Sequence, residues 1–384
     1  MPLRLLPELL RSDELLAPVA GASVLAVPEP ARAFVLAALS GATDHHPLVV
    51  AVPTTTDAER LAHDLRAYLG PDEVDVFPAW ETLPFERVSP SVETMGRRLR
   101  VLWRLRDPAR MPRLLVAPVR ALVQRLGPHV EDVEPVVLEA GARGVDPAEL
   151  AAVLVAAGYR REYQVEHRGE VAVRGSIVDV FPSTATAPVR IDLWDDEVDR
   201  LTEFSVTDQR STADVERVEL FPCRELLPTD EVRERAARLV GAEPWGREQW
   251  ERLAEGATFE GMESWLPWLS VGEHVLFDLV GRDAEVALVE PRRMRDRAAE
   301  LLDEEASLAA TLAQTWGATS HASTSDGEGR WPRLHLPFDR LLTHTDAPVR
   351  TIATAPEGPG TAVVAASGWD PVMGDGARLA KRLR

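Results

Sequence analysis

The sequence predicts an α/β protein in which a parallel-sheet domain, divided into two segments, is interrupted by a small α+β insert. Up to about residue 125, short β-branched runs alternate with helical patterns, which is typical of a parallel sheet. From Pro135 a helix is followed by two longer strand-like runs that a turn-rich stretch connects. Beyond Pro222 the chain is largely helical before β-branched runs return. A chain of 384 residues is long enough for roughly two or three domains.

The first segment, residues 1–127, is predicted to contain four strands and two helices. The strands are Ser23–Val27, Leu48–Val52, Val74–Phe77 and Leu114–Ala117. One helix, Asp57–Gly70, begins with an acidic residue and ends where Pro71 follows a glycine, as helix start and stop signals require. The other helix spans Pro90–Leu105.

The insert, residues 128–213, is predicted to contain a helix over Asp146–Tyr159 and the strands Glu170–Phe181 and Val189–Trp194. In the first of these strands, apolar residues change faces at Gly175, which indicates a bulge or a bend there. If the two strands pair, Arg174 and Arg190 lie on one exposed sheet face. Such a face suits docking of an acidic partner. Alternatively, both arginines only pair with Glu170, Asp192 or Glu197 on a solvated sheet.

The second segment, residues 214–318, is expected to be mixed. Its predicted elements are helical Gly261–Leu269, strand-like His274–Val280 and Glu285–Pro291, and a long helix over Pro291–Trp316. Residues 319–332 are rich in Ser, Thr and Gly and form the predicted linker. Residues 333–384 are expected to begin a further small α/β domain. They end in a helical pattern from Gly376 without a capping signal, so we expect this terminus to be a truncation.

Composition argues against nucleotide chemistry in these residues. Lys381 is the only lysine, and the segment after the first strand, Pro28–Leu39, has neither glycines nor the Lys-Ser or Lys-Thr pair of a phosphate-binding loop. Glu29 in this segment would repel a phosphate. We therefore expect no enzymatic activity and no cofactor in this chain. The net charge of −19 also argues against broad non-specific binding to nucleic acid.

Other candidate sites have simpler interpretations. The acidic run Trp194–Glu197 resembles a magnesium-binding motif but is better explained as a charged turn. The histidines lack the helical spacing of a zinc site, and the single cysteine, Cys223, cannot form an internal disulfide. In Phe77–Pro90 the aromatic residues are expected to pack against the domain edge rather than to bind a ligand. No apolar run has the length of a membrane span or signal peptide, so a cytoplasmic location is the default expectation.

Four motifs resemble the N-terminal part of bacterial transcription-repair coupling factors (Mfd), which is itself similar to UvrB of nucleotide excision repair. They are YQVEHRGEVAVRGSIVDVFP, VRIDLWDDEVDRLTEFSVTDQRS, FPAWETLPFE and GMESWLPWL. The resemblance spans about residues 20–316 and weakens after Pro332. The chain has no room near Trp80 for the DNA-gripping hairpin of UvrB. Together with the missing lysine, this favours the coupling factor.

The resemblance implies a degenerate helicase-like (RecA-like) domain in two segments, with an inserted domain that binds UvrA. It places Arg174 at a UvrA-binding position, with Arg190 and Arg160 as further candidates. UvrB-like sequences often carry a second arginine two residues before this one, where the chain has Ala172. The alternative is a UvrB-like component or an ATP-dependent domain that acts directly on damaged DNA.

The complete family protein would also bind RNA polymerase and act as an ATP-driven translocase on duplex DNA, with ATP and magnesium bound by motor domains absent from these residues. The chain itself would recruit UvrA to stalled polymerase. These activities are implied by the family and are not visible in the residues present.

Overall fold

The computed structural model describes residues 3, 6–11, 19–43, 45–270, 272–315 and 332–366. Its main element is a seven-stranded sheet in which all neighbouring strands are parallel, in the order β15-β1-β14-β13-β2-β4-β3. The strands of this sheet are β1 (Val24–Ala26), β2 (Leu48–Val52), β3 (Val74–Val76), β4 (Leu114–Pro118), β13 (Glu285–Val289), β14 (Val349–Ala353) and β15 (Ala362–Val363).

Helices cover both faces of this sheet, as expected for parallel strands that are buried on both sides. The helices on one face are α2 (Arg32–Leu39) and α3 (Thr55–Leu69). Those on the other face are α4 (Val92–Leu105), α5 (Val119–Leu122), α10 (Pro291–Thr315) and α11 (Phe338–Leu341). A short helix, α1 (Leu6–Arg11), precedes them in the chain. The predicted α/β class and the predicted strands of the first segment are confirmed.

The last described residues correct one prediction. Residues from 333 onward were expected to begin a separate domain, but β14 lies inside the main sheet between β1 and β13, and β15 extends its edge. This pairing joins strands far apart in the chain, so no local pattern reveals it. The predicted linker lies outside the described residues except for Pro332, and the predicted helix from Gly376 lies outside them entirely.

The insert is built on a six-stranded sheet in the order β11-β10-β9-β8-β7-β6 and a two-stranded ribbon of β5 and β12. The strands are β5 (Val136–Glu139), β6 (Arg160–Arg161), β7 (Glu170–Arg174), β8 (Ile177–Val180), β9 (Val189–Trp194), β10 (Glu197–Phe204), β11 (Ser211–Asp214) and β12 (Arg217–Leu220). Helix α6 (Pro147–Ala156) packs on one face of the sheet, over a core that includes Leu154, Val171 and Ile191. Because β12 pairs with β5, the insert extends beyond residue 213.

The expectation of one bulged strand over Glu170–Phe181 is wrong. The run is a hairpin, in which β7 and β8 pair antiparallel with Arg174 opposite Ile177. Gly175 has a φ of +62°, and a glycine with positive φ at the first central position is typical of a type II′ turn. The reversal of the chain explains why the apolar residues change faces at this point.

After the insert, a helical region packs beside the main sheet. It contains α7 (Asp230–Ala242), α8 (Arg247–Ala254) and α9 (Leu266–Leu269) around a cluster of tryptophans that includes Trp250 and Trp265. His274–Val280 was predicted to be strand-like, but Leu276–Leu279 forms a 3-10 helix, so that prediction is wrong. Its apolar residues fill the main core from a turn instead of from a strand.

Candidate functional site

The face of the insert sheet opposite α6 carries the predicted arginines. Strand pairing places Arg174, Ile177 and Asp192 in one row across β7, β8 and β9. Trp194 lies two residues further along β9 and therefore on the same face. These four residues all retain solvent exposure and together form the open face.

The other half of this sheet face is covered. A small apolar cluster of Val165, Ala172, Phe181 and Phe204 packs on it. The loops that follow β6 and β10 supply part of this cover, and the Gln209 amide closes it by donating to the carbonyl oxygens of Val165 and Val206. Ala172, where UvrB-like sequences carry an arginine, is buried in this cluster. The open face, in contrast, remains accessible to a partner.

Asp179 lies at the boundary between the two halves. Its carboxylate is 1% exposed and accepts hydrogen bonds from the guanidinium groups of both Arg174 and Arg190. Arg190 donates through Nε and Nη2 at 2.7 and 3.0 Å, and its pKa is raised chiefly by these hydrogen bonds to Asp179. The arginines do share a sheet face, as predicted. Their common carboxylate is Asp179, whereas Glu170, Asp192 and Glu197 were the acids considered from the sequence.

The two arginines differ in accessibility. The Arg174 side chain is 38% exposed, whereas that of Arg190 is 17% exposed. Arg190 also donates to the Gln209 carbonyl at 3.2 Å and stacks 4.9 Å from the centre of the Phe204 ring. Arg190 is thus a half-buried structural residue in the free chain, and Arg174 is the arginine that faces solvent.

Arg160 lies apart from both, on the edge strand β6. Its side chain is 66% exposed and pairs at 3.0 Å with Glu170, which is buried. Burial alone would raise the pKa of Glu170, but backbone N–H groups of Glu166 and His167 and the charges of His167 and Arg160 lower it overall. The structure does not bring Arg160 onto the open face.

Trp194 was not predicted as a site residue. This residue is 79% exposed, which is unusual for the largest side chain, and its neighbour Leu193 donates a backbone N–H to Ser176 in the turn between β7 and β8. The adjacent Asp195-Asp196 turn joins β9 to β10, so the run WDDE is a charged turn as expected. An aromatic residue at an outward position of a strand, directly before a turn, was the available signal.

The position where a phosphate-binding loop would lie follows β1 in the main sheet. There a single turn of 3-10 helix, Glu29–Ala31, leads into α2. The Arg32 guanidinium binds the carboxylate of Glu290 and, at 2.7 Å, the hydroxyl of Thr354, at the carboxyl ends of β13 and β14. Burial works to raise the pKa of Glu290, but the hydrogen bond from Thr354 and the charge of Arg32 lower it overall. This ion pair borders the crevice without filling it, because a cavity lined by Arg32, Val52 and Arg293 remains at the carboxyl ends of β2 and β13.

Other sequence-based candidates are structural. Trp80 and Phe85 are buried in the helical region's core, as predicted, and the indole of Trp80 donates to Glu225 at 2.5 Å. Cys223 is buried, which raises the pKa of its thiol to about 12. Within the described ranges, no group of three or more His, Cys, Asp or Glu residues could hold a metal ion. In the same ranges, no helix combines the length and apolar character needed to span a membrane.

Comparison with known proteins gives matches to the whole insert and to much of the remaining chain. Residues 136–226 match the family described as the UvrB interaction domain. The chain is 40% identical over 294 residues to the transcription-repair-coupling factor of Mycobacterium tuberculosis (strain CDC 1551 / Oshkosh), which covers 72% of this chain and 23% of that protein. The corresponding protein of Escherichia coli (strain K12) is 33% identical over 227 residues, 58% of this chain and 19% of the relative. The protein of Bacillus subtilis (strain 168) is 28% identical over 301 residues, 73% of this chain and 25% of the relative.

The matched part is thus about a fifth to a quarter of the length of these relatives. The UvrB interaction domain match covers the entire six-stranded sheet and therefore the open face.

Proposed function

We propose that this chain, which is similar to the N-terminal UvrB-like part of bacterial transcription-repair coupling factors, binds the excision-repair protein UvrA through the open face of its insert. One observation carries the proposal. Within the matched domain, an exposed tryptophan and an exposed arginine lie together on the uncovered half of the sheet.

The chemistry of these side chains suits a protein partner. Tryptophan and arginine are the residue types most often found to dominate binding energy at interfaces. Trp194 offers a large apolar surface, and Arg174 offers N–H donors in addition to those that bind Asp179. Asp192, in the same row, offers an acceptor. The complementary partner surface would combine an apolar pocket with a carboxylate.

In the full-length protein, this docking would serve recruitment. We propose that the complete protein binds stalled RNA polymerase and moves on duplex DNA by ATP hydrolysis through domains beyond these residues, and that the present chain brings in UvrA. The sequence after β1 supports a non-catalytic role for the α/β domain, because Pro28–Leu39 has neither the glycines nor the lysine that a phosphate-binding loop needs.

Titration of the purified chain with UvrA tests the proposal. Wild-type chain should bind saturably, and Arg174→Ala should weaken binding by ~1–3 kcal/mol, the usual loss for truncating an interface arginine. Arg217→Ala is the matched control, because Arg217 is an exposed, paired arginine on the ribbon strand β12 and not on the open face. Absence of binding by the wild-type chain, or equal losses for the two variants, would contradict the proposal.

A further inference from the structure

We infer that Asp179 is a positioning residue of the open face, whose buried carboxylate holds the guanidinium of Arg174 ready for UvrA. This inference rests on the function proposed above and concerns a residue that would not itself touch the partner. Asp179 is 1% exposed, so its effect on a partner must pass through the arginines it binds.

The Asp179 carboxylate binds one arginine on each side. On one side it binds Arg190, which is further fixed by the Gln209 carbonyl and by the Phe204 ring. On the other side it binds Arg174, whose side chain ends at the border of the open face. The rigid Arg190 side thus anchors the carboxylate, and the anchored carboxylate restrains Arg174.

The charges of these groups also favour Arg174 as the residue that meets the partner. Two guanidinium groups share one carboxylate, so the three groups together keep one net positive charge. Arg190 is largely enclosed, and Arg174 is therefore the member that can present this charge to a partner. A long arginine side chain that is already held loses less conformational freedom on binding, which increases affinity.

Asp179→Asn retains the shape of the side chain and removes its charge. We expect UvrA affinity to fall by about five- to tenfold, because Arg174 is no longer held in place. The matched control is Glu139→Gln, which removes a carboxylate from the Arg217 pair on the ribbon and should leave affinity unchanged.

A double-mutant cycle separates positioning from a general loss of structure. In the Asp179→Asn background, Arg174→Ala should cost clearly less affinity than it does in the wild type, while Trp194→Ala should cost as much as it does in the wild type. If Arg174→Ala and Trp194→Ala both cost as much affinity in the Asp179→Asn background as in the wild type, Asp179 affects only the stability of the fold. That result would overturn the inference.

The wild-type chain offers a measurement that does not depend on the folding of a variant. NMR order parameters of the side-chain Nε–H groups should be nearly as high for Arg174 as for Arg190. The order parameter of the exposed Arg210 should be low. Arg174 as mobile as Arg210 would overturn the inference. If the wild-type chain and Asp179→Asn bind UvrA equally well, this inference is wrong and the proposed function stands. If the wild-type chain does not bind UvrA, the proposed function is wrong as well.

Discussion

At the scale of single residues, the open face depends on how the hairpin turn orders the side chains around it. The turn at Gly175 and Ser176 brings Arg174 back against Ile177, and the backbone N–H of Leu193 donates to the Ser176 carbonyl at 3.0 Å. Trp194, the next residue, therefore emerges beside the turn. Arg174 and Trp194 are 20 positions apart in the sequence, yet both border the same turn.

Trp194→Ala should weaken UvrA binding by about 2 kcal/mol or more, because a tryptophan at the centre of an interface loses its whole buried surface on truncation. The melting temperature should hardly change, since Trp194 is exposed in the free chain. Calorimetric titration and thermal melting measure the two effects.

Tyr163→Ala provides the control for this substitution. Tyr163 is also an exposed aromatic residue of the insert, but it lies in the loop after β6 and outside the open face. An equal loss of affinity in both variants would argue against the open face as the docking surface.

At the scale of elements, helix α4 forms two ion pairs of different burial, one with the segment that follows β12 and one with the insert. Arg98 of α4 is fully buried, and its Nε donates to both oxygens of Glu225, at 3.0 and 2.9 Å. Burial lowers the pKa of Arg98, although the charge and hydrogen bonds of Glu225 oppose this. Arg168 of the insert pairs at 2.8 Å with Glu93 of α4 near the surface. The buried pair joins α4 to the segment after β12, and the exposed pair joins α4 to the insert.

Glu225→Gln should destabilise the chain by ~3–5 kcal/mol, because it leaves the buried charge of Arg98 without its counter-charge. Glu93→Gln, which breaks the exposed pair with Arg168, should cost less than about 1 kcal/mol. Urea denaturation of both variants measures the difference. Equal, small losses would show that the buried pair is not needed for the stability of the fold.

The loop between β6 and β7 should respond to acid through Glu170. Because the folded chain lowers the pKa of this carboxyl below its ordinary value of 4.5, its charged form stabilises the fold above that pH. The contribution is lost as the pH falls through the lower folded value. The free energy of unfolding should therefore differ between wild type and Glu170→Gln at neutral pH, and this difference should shrink below pH 4.5. A difference independent of pH would contradict this role for the carboxylate.

The sequence was most informative where one strand or helix determines its own pattern. Apolar runs such as Leu48–Val52 and the signals around Asp57 and Gly70 marked buried strands and helix ends correctly. The hairpin at Gly175 was missed because its two-residue turn lies inside a continuous β-branched run. Asp179 was missed because its two partners are set by strand register, which no local pattern encodes.

At the scale of the whole molecule, the proposed function gives the α/β domain the role of a support for the insert. Its crevice at the carboxyl ends of the strands is the usual ligand position in such sheets, but Arg32, Glu290 and Thr354 bind one another there. From Pro28–Leu39, the sequence predicted that a phosphate-binding loop is missing. The ion pair between Arg32 and Glu290 could not be predicted, because it joins residues 258 positions apart.

The purified chain should show no saturable ATP turnover and no shift in melting temperature with ATP and magnesium. The reason is that it lacks a lysine for the β- and γ-phosphates near β1. A coupled ATPase assay and thermal melting check this. Saturable turnover would support an enzymatic domain in place of a docking module.

Hydrogen exchange of the chain with and without UvrA tests the docking face most directly. UvrA should slow exchange around the two turns that border the open face, residues 174–177 and 194–197, and should leave α6 on the opposite side unchanged. Slowed exchange confined to α6 or to the crevice near Arg32, with none at the two turns, would contradict the account.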